Sequence, residues 1–399
     1  MKLFQKLLLA PAVIGFLSPI AANATEANLK GVARYNETDL RINQDSFKPL
    51  SNKNPLLAGG EGLNQVQNDD FDGDIFSSTT QAEFFSNFII GSAQGTSDQR
   101  VGATYDFGFD LTTSFNGNDA LAVNVIAGGG GTLTELGLEH TEVAEGSSTA
   151  DQAQIDGISY TTTLGDRLTV FAGNGVSGGS LYNTACVYTA VTDTLEECGA
   201  ASSGLDLDDT NTAFGASIDL GKGYSVSLSY EGEGTDEGIL TKESIDAYGI
   251  QFAYSNDTLG LSLSWADIEN NNGTVGDKGT GATTYTALNG FYAPDIANFP
   301  SFSFGYEWSH NDAVGSGTDQ TTNYFAGVQW NDVGNGSLGA AVGTSTPTTE
   351  DSEALVMYEA YYTYNYADGL TITPLIYVKE QAGNAGDETG IVLKSSFSF

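Results

Sequence analysis

From residue 81 to its last residue the chain alternates. Val101, Ala103, Tyr105, Phe107, Phe109 and Leu111 share one parity, and Gly102, Thr104, Asp106, Gly108 and Asp110 share the other. The pattern returns in Tyr224, Val226, Leu228 and Tyr230 against Ser225, Ser227, Ser229 and Glu231. It returns again in Phe302, Phe304, Tyr306 and Trp308 against Ser303, Gly305 and Glu307. A strand points successive side chains to opposite faces, so each run carries one greasy face and one polar face. The final ten residues do the same, with Ile391, Leu393, Phe397 and Phe399 opposed to Lys394, Ser396 and Ser398. A strand between lipid and a wet lumen needs this arrangement. An edge strand of a soluble sandwich would satisfy it too.

The alternation predicts sixteen strands: 82–93, 101–115, 119–127, 153–164, 166–173, 212–220, 223–231 and 246–255, then 258–267, 282–292, 300–309, 322–331, 336–344, 355–366, 369–379 and 390–399. Most are near the roughly 9–11 residues a tilted strand needs to cross a bilayer, whereas sandwich strands more often run to about 5–6. The links between them alternate as well. Asn116-Gly117-Asn118, Gly165, Gly221-Lys222, Asn256-Asp257 and Ala367-Asp368 are tight turns. The intervening links, 128–152, 174–211, 232–245, 268–281, 310–321, 345–354 and 380–389, are mostly long and rich in Gly, Asp, Thr and Asn. Short turns on one side and long loops on the other describe an outer-membrane barrel with its turns in the periplasm. A sandwich has no reason to keep that rhythm. The expected fold is all-β, a transmembrane antiparallel β-barrel of about sixteen strands over 81–399. Phe291, Tyr292, Trp308, Trp330, Tyr364 and Tyr366 near strand ends fit interfacial girdles, although β-propensity alone also favours aromatics.

Composition narrows the function classes. Fourteen Lys and Arg stand against 51 Asp and Glu, for a formal charge of −37, so a basic nucleic-acid footprint is missing. The 50 glycines have no three-residue period, which excludes collagen. Residues 1–24 read as a secretory signal: Lys2 and Lys6, an apolar core from Leu7 to Leu17, and the small-residue site Ala22-Asn23-Ala24. Pro11, Pro19 and the short apolar run argue against a spanning helix. Export through the general secretion route to the outer membrane follows as the expected location. Residues 25–80 are polar and without period, a periplasmic or lumenal segment. Asp69, Asp70, Asp72 and Asp74 around Gly73 could bind calcium but lack the Glu at the twelfth loop position, so a solvated linker is the other reading.

Cys186 and Cys198 are the only cysteines. In an oxidising compartment they are expected to pair and close a short loop, two free thiols being the alternative. No CxxC pair supports zinc. His140 and His310 fall in expected loops with no nucleophile or acid arranged beside them, so no enzyme is expected. Gly173 to Gly178 matches GxGxxG without a following helix and marks only the start of a glycine-rich loop.

Three stretches carry a family resemblance: Phe76 to Thr80 (FSSTT) leading into the first strand, Leu111 to Asp119 (LTTSFNGND), and Leu164 to Gly173 (LGDRLTVFAG). With the terminal Phe399, a barrel-assembly signal, they resemble the cyanobacterial outer-membrane porins related to the carbohydrate-selective OprB-type porins, over roughly 76–399. The S-layer-homology module usual in that family has no counterpart in 25–75. The resemblance implies a water-filled channel for small hydrophilic solutes and ions, no cofactor, a homotrimer, and contact with outer-membrane lipid, lipopolysaccharide and the barrel-assembly machinery. It also implies that the loop after the fifth strand, 174–211, folds inward and narrows the pore. That loop holds Cys186, Cys198, Asp193, Glu196, Glu197, Asp206, Asp208 and Asp209 and no Lys or Arg. The other reading is a solvated extracellular loop, where calcium or magnesium could bind.

By parity Glu83, Asp106, Asp110, Asp219, Glu231, Glu307 and Glu359 face the lumen, as do Arg167, Lys379 and Lys394. Excess carboxylates in a low-dielectric channel favour cations, so a modest cation preference is expected. Phe171, Phe325 and Tyr361 also fall inward, too scattered for a sugar track. The competing function is a non-conducting adhesin or envelope structural barrel.

Overall fold

A computed structural model describes residues 80–95, 101–129, 134–136, 152–200, 212–232, 238–241, 245–271, 278–312, 320–349, 352–382 and 386–399. The expected signal segment, the polar stretch up to 79 with its Asp69–Asp74 cluster, His140, Asp206, Asp208 and Asp209 lie outside the described residues.

The alternating runs become strands β1 (Thr80–Gln94), β2 (Gly102–Thr113), β3 (Asp119–Gly129), β4 (Gln154–Leu164), β5 (Leu168–Asn174) and β6 (Thr212–Gly221). They continue as β7 (Tyr224–Gly232), β8 (Asp246–Ser255), β9 (Leu259–Asn271), β10 (Lys278–Tyr292), β11 (Ser301–Asn311) and β12 (Gln320–Trp330). The last are β13 (Gly336–Thr344), β14 (Thr348–Thr349), β15 (Val356–Ala367), β16 (Leu370–Lys379) and β17 (Glu388–Ser398). β14 is a two-residue addition inside an expected loop; it pairs with β12, while β13 pairs directly with β15. Sixteen strands therefore form the wall, each antiparallel to its chain neighbour.

β1 closes the ring on β17, in register from Phe85 with Ser398 to Gln94 with Thr389. Phe399 completes the seam. Its N–H donates to the Phe84 carbonyl at 3.0 Å, the Phe84 N–H donates back at 2.9 Å, and the two rings stack at 5.6 Å. Closure leaves no unpaired edge, the condition for strands to cross a bilayer.

Parity decides which face meets which solvent. On β11, Phe302, Phe304, Tyr306 and Trp308 point outward and are exposed, while Ser301, Ser303, Gly305, Glu307 and Ser309 point inward. On β17, Ile391, Leu393 and Phe397 are exposed outward. Outer tyrosines and a tryptophan mark two heights, Tyr224, Tyr292, Tyr364 and Tyr366 near the turns and Tyr248, Trp308 and Tyr358 near the loops, with the exposed Phe88, Phe107, Phe252 and Phe304 between them. This is the two-girdle arrangement of a spanning barrel.

Phe291 departs from the expectation. It points inward, buried, and lies over Gly260. It belongs to a repeated device: Phe85 lies over Gly108, Phe171 over Gly215, Tyr361 over Gly339 and Tyr377 over Gly390. A Cβ on any of these five glycines would sit 1.9 to 2.6 Å from a ring atom. The ring covers backbone on the next strand and lies flat against the wall, which keeps bulk out of the lumen. Two polar positions also move. Arg167, expected on the lumen face, is exposed in the turn after β4, because Gly165 at φ 67 lets Gly165, Asp166 and Arg167 close the hairpin. His310 sits at the end of β11 rather than in a loop, 3.0 Å from Asp312.

Candidate functional site

The described part of the link between β5 and β6, 175–200, lies inside the barrel. Apart from the 3-10 segment Asp193–Gly199 it has no regular secondary structure, so its backbone N–H and C=O groups need partners from elsewhere. Inward side chains on successive strands supply them. Gly178 N–H donates to Glu231 of β7 at 2.8 Å, and Ser227 of β7 donates to the Leu181 carbonyl at 3.0 Å. Asn183 N–H donates to Gln251 of β8 at 2.6 Å, and Ser262 of β9 donates to the Thr184 carbonyl at 3.1 Å. Val187 and Tyr188 N–H groups share Ser303 Oγ of β11, both at 3.1 Å. Thr189 N–H reaches Gln329 of β12 at 2.9 Å, and Tyr361 of β15 donates its O–H to the Thr189 carbonyl at 2.6 Å.

Glu359 of β15 is the strongest anchor. Its buried carboxylate accepts from Tyr188 O–H at 2.8 Å, Thr192 N–H at 3.0 Å, Thr192 Oγ1 at 2.7 Å and Val191 N–H at 3.3 Å. Hydrogen bonds to an ionised group contribute about 1.5–3 kcal/mol each, twice the neutral value. Apolar contacts reinforce the strap. Tyr188 packs 5.4 Å from Phe325 and 6.0 Å from Tyr361, and Leu195 joins Met357, Leu375, Tyr377, Val392 and Ile89 in one buried cluster. Burial, then the Glu359 charge, pushes the Tyr188 phenol far above its usual range, so it stays a donor. Burial pushes Tyr182, which hydrogen-bonds Ser229 at 2.7 Å, up to about 12.

The loop then turns back along the wall. Asn289 of β10 donates to the Glu197 carbonyl at 3.2 Å. Gly305 of β11 admits the Cys198 carbonyl, which a Cβ there would meet at 2.0 Å, and Gly327 and Gly343 make room for Tyr188 and Leu195. The outgoing and returning legs are joined by the disulfide Cys186–Cys198, with Cα atoms 6.0 Å apart. The expected pairing is therefore present. Within the returning leg Thr192, Leu195 and Cys198 are buried against the wall, while Asp193, Glu196 and Glu197 are exposed on the edge turned away from it.

The predicted lumen charges do not form one population. Glu231 and Glu359 serve the loop backbone. Glu307 is buried on β11, 3.4 Å from Asn323 Nδ2. Asp106 accepts from Asn87 N–H at 2.8 Å and Asn87 Nδ2 at 3.1 Å, and Asp110 accepts from Asn124 at 2.7 Å. Glu83 is exposed opposite Asp110 on the neighbouring strand. Asp219 sits at the rim of the turn side, where it accepts from Gly221 N–H at 2.7 Å. Lys394 points inward, half-buried, on β17, and Lys379 pairs with Glu135. Sequence reasoning missed Glu135, and it missed the wall residues that hold the loop, above all Ser303, Gln251 and Gln329. One signal was available: inward glycines at 305, 327 and 343 on three successive strands open a trough for the returning leg.

No family model matches the chain, and no curated protein matches it. Solved structures do. OprB of Pseudomonas putida superposes with a TM-score of 0.57 at 11% identity, covering 80% of this chain and 94% of that one. A triply substituted Rh. blastica porin superposes with a TM-score of 0.53 at 12% identity, covering 80% of this chain and all of that one. Identity this low speaks for the fold alone. On backbone geometry, the chain has the sixteen-stranded transmembrane barrel fold of the porins.

Proposed function

We propose that this chain is an outer-membrane diffusion channel for small hydrophilic solutes and inorganic ions, with a constriction that favours cations. The observation that carries the reading is the described part of the β5–β6 loop, hydrogen-bonded along the inner wall from β7 to β15, where it narrows the lumen. An apolar outer band between two aromatic girdles supports the membrane location. Asp193, Glu196 and Glu197 are the constriction acids in this reading, with Glu83, Asp106 and Asp110 on β1 and β2 as acids of the uncovered wall. Among described side chains the lumen offers two bases, Lys379 and Lys394, and Lys379 is paired. Fields of one sign focused by low-dielectric walls raise the local concentration of counter-ions.

Sugar selectivity has less support. Phe325 and Tyr361 are covered by Tyr188, and Phe171 lies flat over Gly215, so none presents a free stacking face. In the same reading the protein is exported by its signal segment, Phe399 is offered to the barrel-assembly machinery, and the barrels associate as homotrimers among lipopolysaccharide.

Single-channel recording in a planar bilayer under a salt gradient tests this. Stable steps with a cation-selective reversal potential are expected. An anion-selective potential removes the charge argument, and a folded barrel without steps favours the non-conducting adhesive or structural barrel.

A further inference from the structure

The described part of a second link, between β3 and β4, lies in the lumen. In its short 3-10 turn Thr134–Leu136, Glu135 and Leu136 are buried, with Leu136 in the same apolar cluster as Leu195. Glu135 forms an ion pair with Lys379 Nζ, and its other oxygen accepts from Thr194 Oγ1 at 2.7 Å. Lys379 also donates to Thr194 Oγ1 at 3.2 Å. Three elements meet in this triangle: the β3–β4 link, the constriction loop next to Asp193, and the wall.

Among the described residues of the wall none forms an ion pair with Lys379. Its cross-strand neighbour on β15 is the apolar Met357. Its neighbour on β17 is Glu388, whose oxygens accept from Tyr377 O–H at 2.7 Å and Gln381 Nε2 at 3.2 Å. An ammonium beside the acidic edge of a constriction would oppose any cation preference. Glu135, brought in by a separate loop, cancels it.

We propose that Glu135 is a selectivity-determining residue that acts by masking Lys379. The charge that passing ions meet is thus set by the β3–β4 link as well as by the constriction loop. The effect on permeation rests on the channel reading above, whereas the masking of the amine does not.

Two readouts separate the proposal from that reading. The first is labelling of folded, detergent-solubilised protein with a small water-soluble amine-reactive reagent, mapped by mass spectrometry. Lys379 should react about tenfold more slowly than Lys394 and approach it in Glu135→Gln, the span expected for loss of one ionised, hydrogen-bonded partner. Equal reactivity of the two lysines in the unsubstituted protein overturns the masking, whether or not the barrel conducts. The second readout is reversal potential. Glu135→Gln should lower the cation-to-anion permeability ratio severalfold, and the double variant Glu135→Gln with Lys379→Gln should restore it. A double variant that stays as low as the single one means that Glu135 only holds the two loops together, and the proposal fails. Lys379→Gln alone, which leaves the Glu135 carboxylate unopposed, should hold or raise the ratio; a clear fall in it also overturns the proposal.

Discussion

The two sides of the inner wall carry similar residues and use them differently. From β7 round to β15, inward Ser, Gln and Glu side chains are taken up by loop backbone, and Glu231 and Glu359 are latches. On β1, β2 and β3 the inward acids Asp106 and Asp110 are met, among the described residues, by asparagines of adjacent strands, and Glu83 is exposed. A lumen-facing carboxylate is therefore not in itself a pore charge. What it does depends on whether a donor-rich segment lies over it, because an extended loop buries N–H groups that must be satisfied.

The contrast breaks most visibly in ion preference. Replacing Asp193, Glu196 and Glu197 together by their amides should cut the cation-to-anion permeability ratio about fivefold or more, since all three act within a Debye length of about 8 Å. Glu231→Gln should leave the ratio within about twofold if that group is a latch rather than a focusing charge. Equal effects of the two substitutions, read as reversal potentials, would erase the distinction.

Glu359→Gln should loosen the strap. It weakens bonds of about 1.5–3 kcal/mol each, so unit currents should become larger and noisier while the barrel stays folded. Quiet steps of unchanged size would mean that the apolar cluster alone holds the loop. Replacing Cys186 and Cys198 by Ser should act in the same direction but less, removing about 3 kcal/mol of constraint confined to a short loop. The readout is current noise with an unchanged thermal transition of the barrel.

Alkaline pH gives the smallest effect. The phenols of Tyr182 and Tyr188 are raised above the ordinary value of 10.0 in the docked loop. The docked state thus holds these protons more tightly than the released state. Docking is at full strength below pH 10 and weakens as pH rises toward about 12, the Tyr182 value. Channel noise should grow across that window and be blunted in Tyr182→Phe.

The strands were legible because a period of two is local: β8 and β13 match the expected ranges end for end, and the other wall strands shift by a few residues. Parity correctly turned Glu359, Phe325 and Lys379 inward. It could not tell that these groups would be covered, because Tyr188 and Glu359 lie 171 residues apart, and such a contact leaves no local pattern. The exceptions to polar-inside alternation were the available hint. Met357, Leu375, Tyr377 and Val392 point inward where a bare aqueous wall would be polar, and each packs in the cluster under the loops. Arg167 was misplaced for a local reason, a hairpin two residues longer than the lone Gly165 suggested.

The most direct test of the account is thiol modification of Glu196→Cys during single-channel recording, with the native Cys186–Cys198 pair intact. The account places this position on the water path. Reaction with a small charged thiol reagent should lower the unit current stepwise, and a cationic reagent should react faster than an anionic one. Modification confirmed by mass with the current unchanged would put the loop edge outside the path and contradict the account.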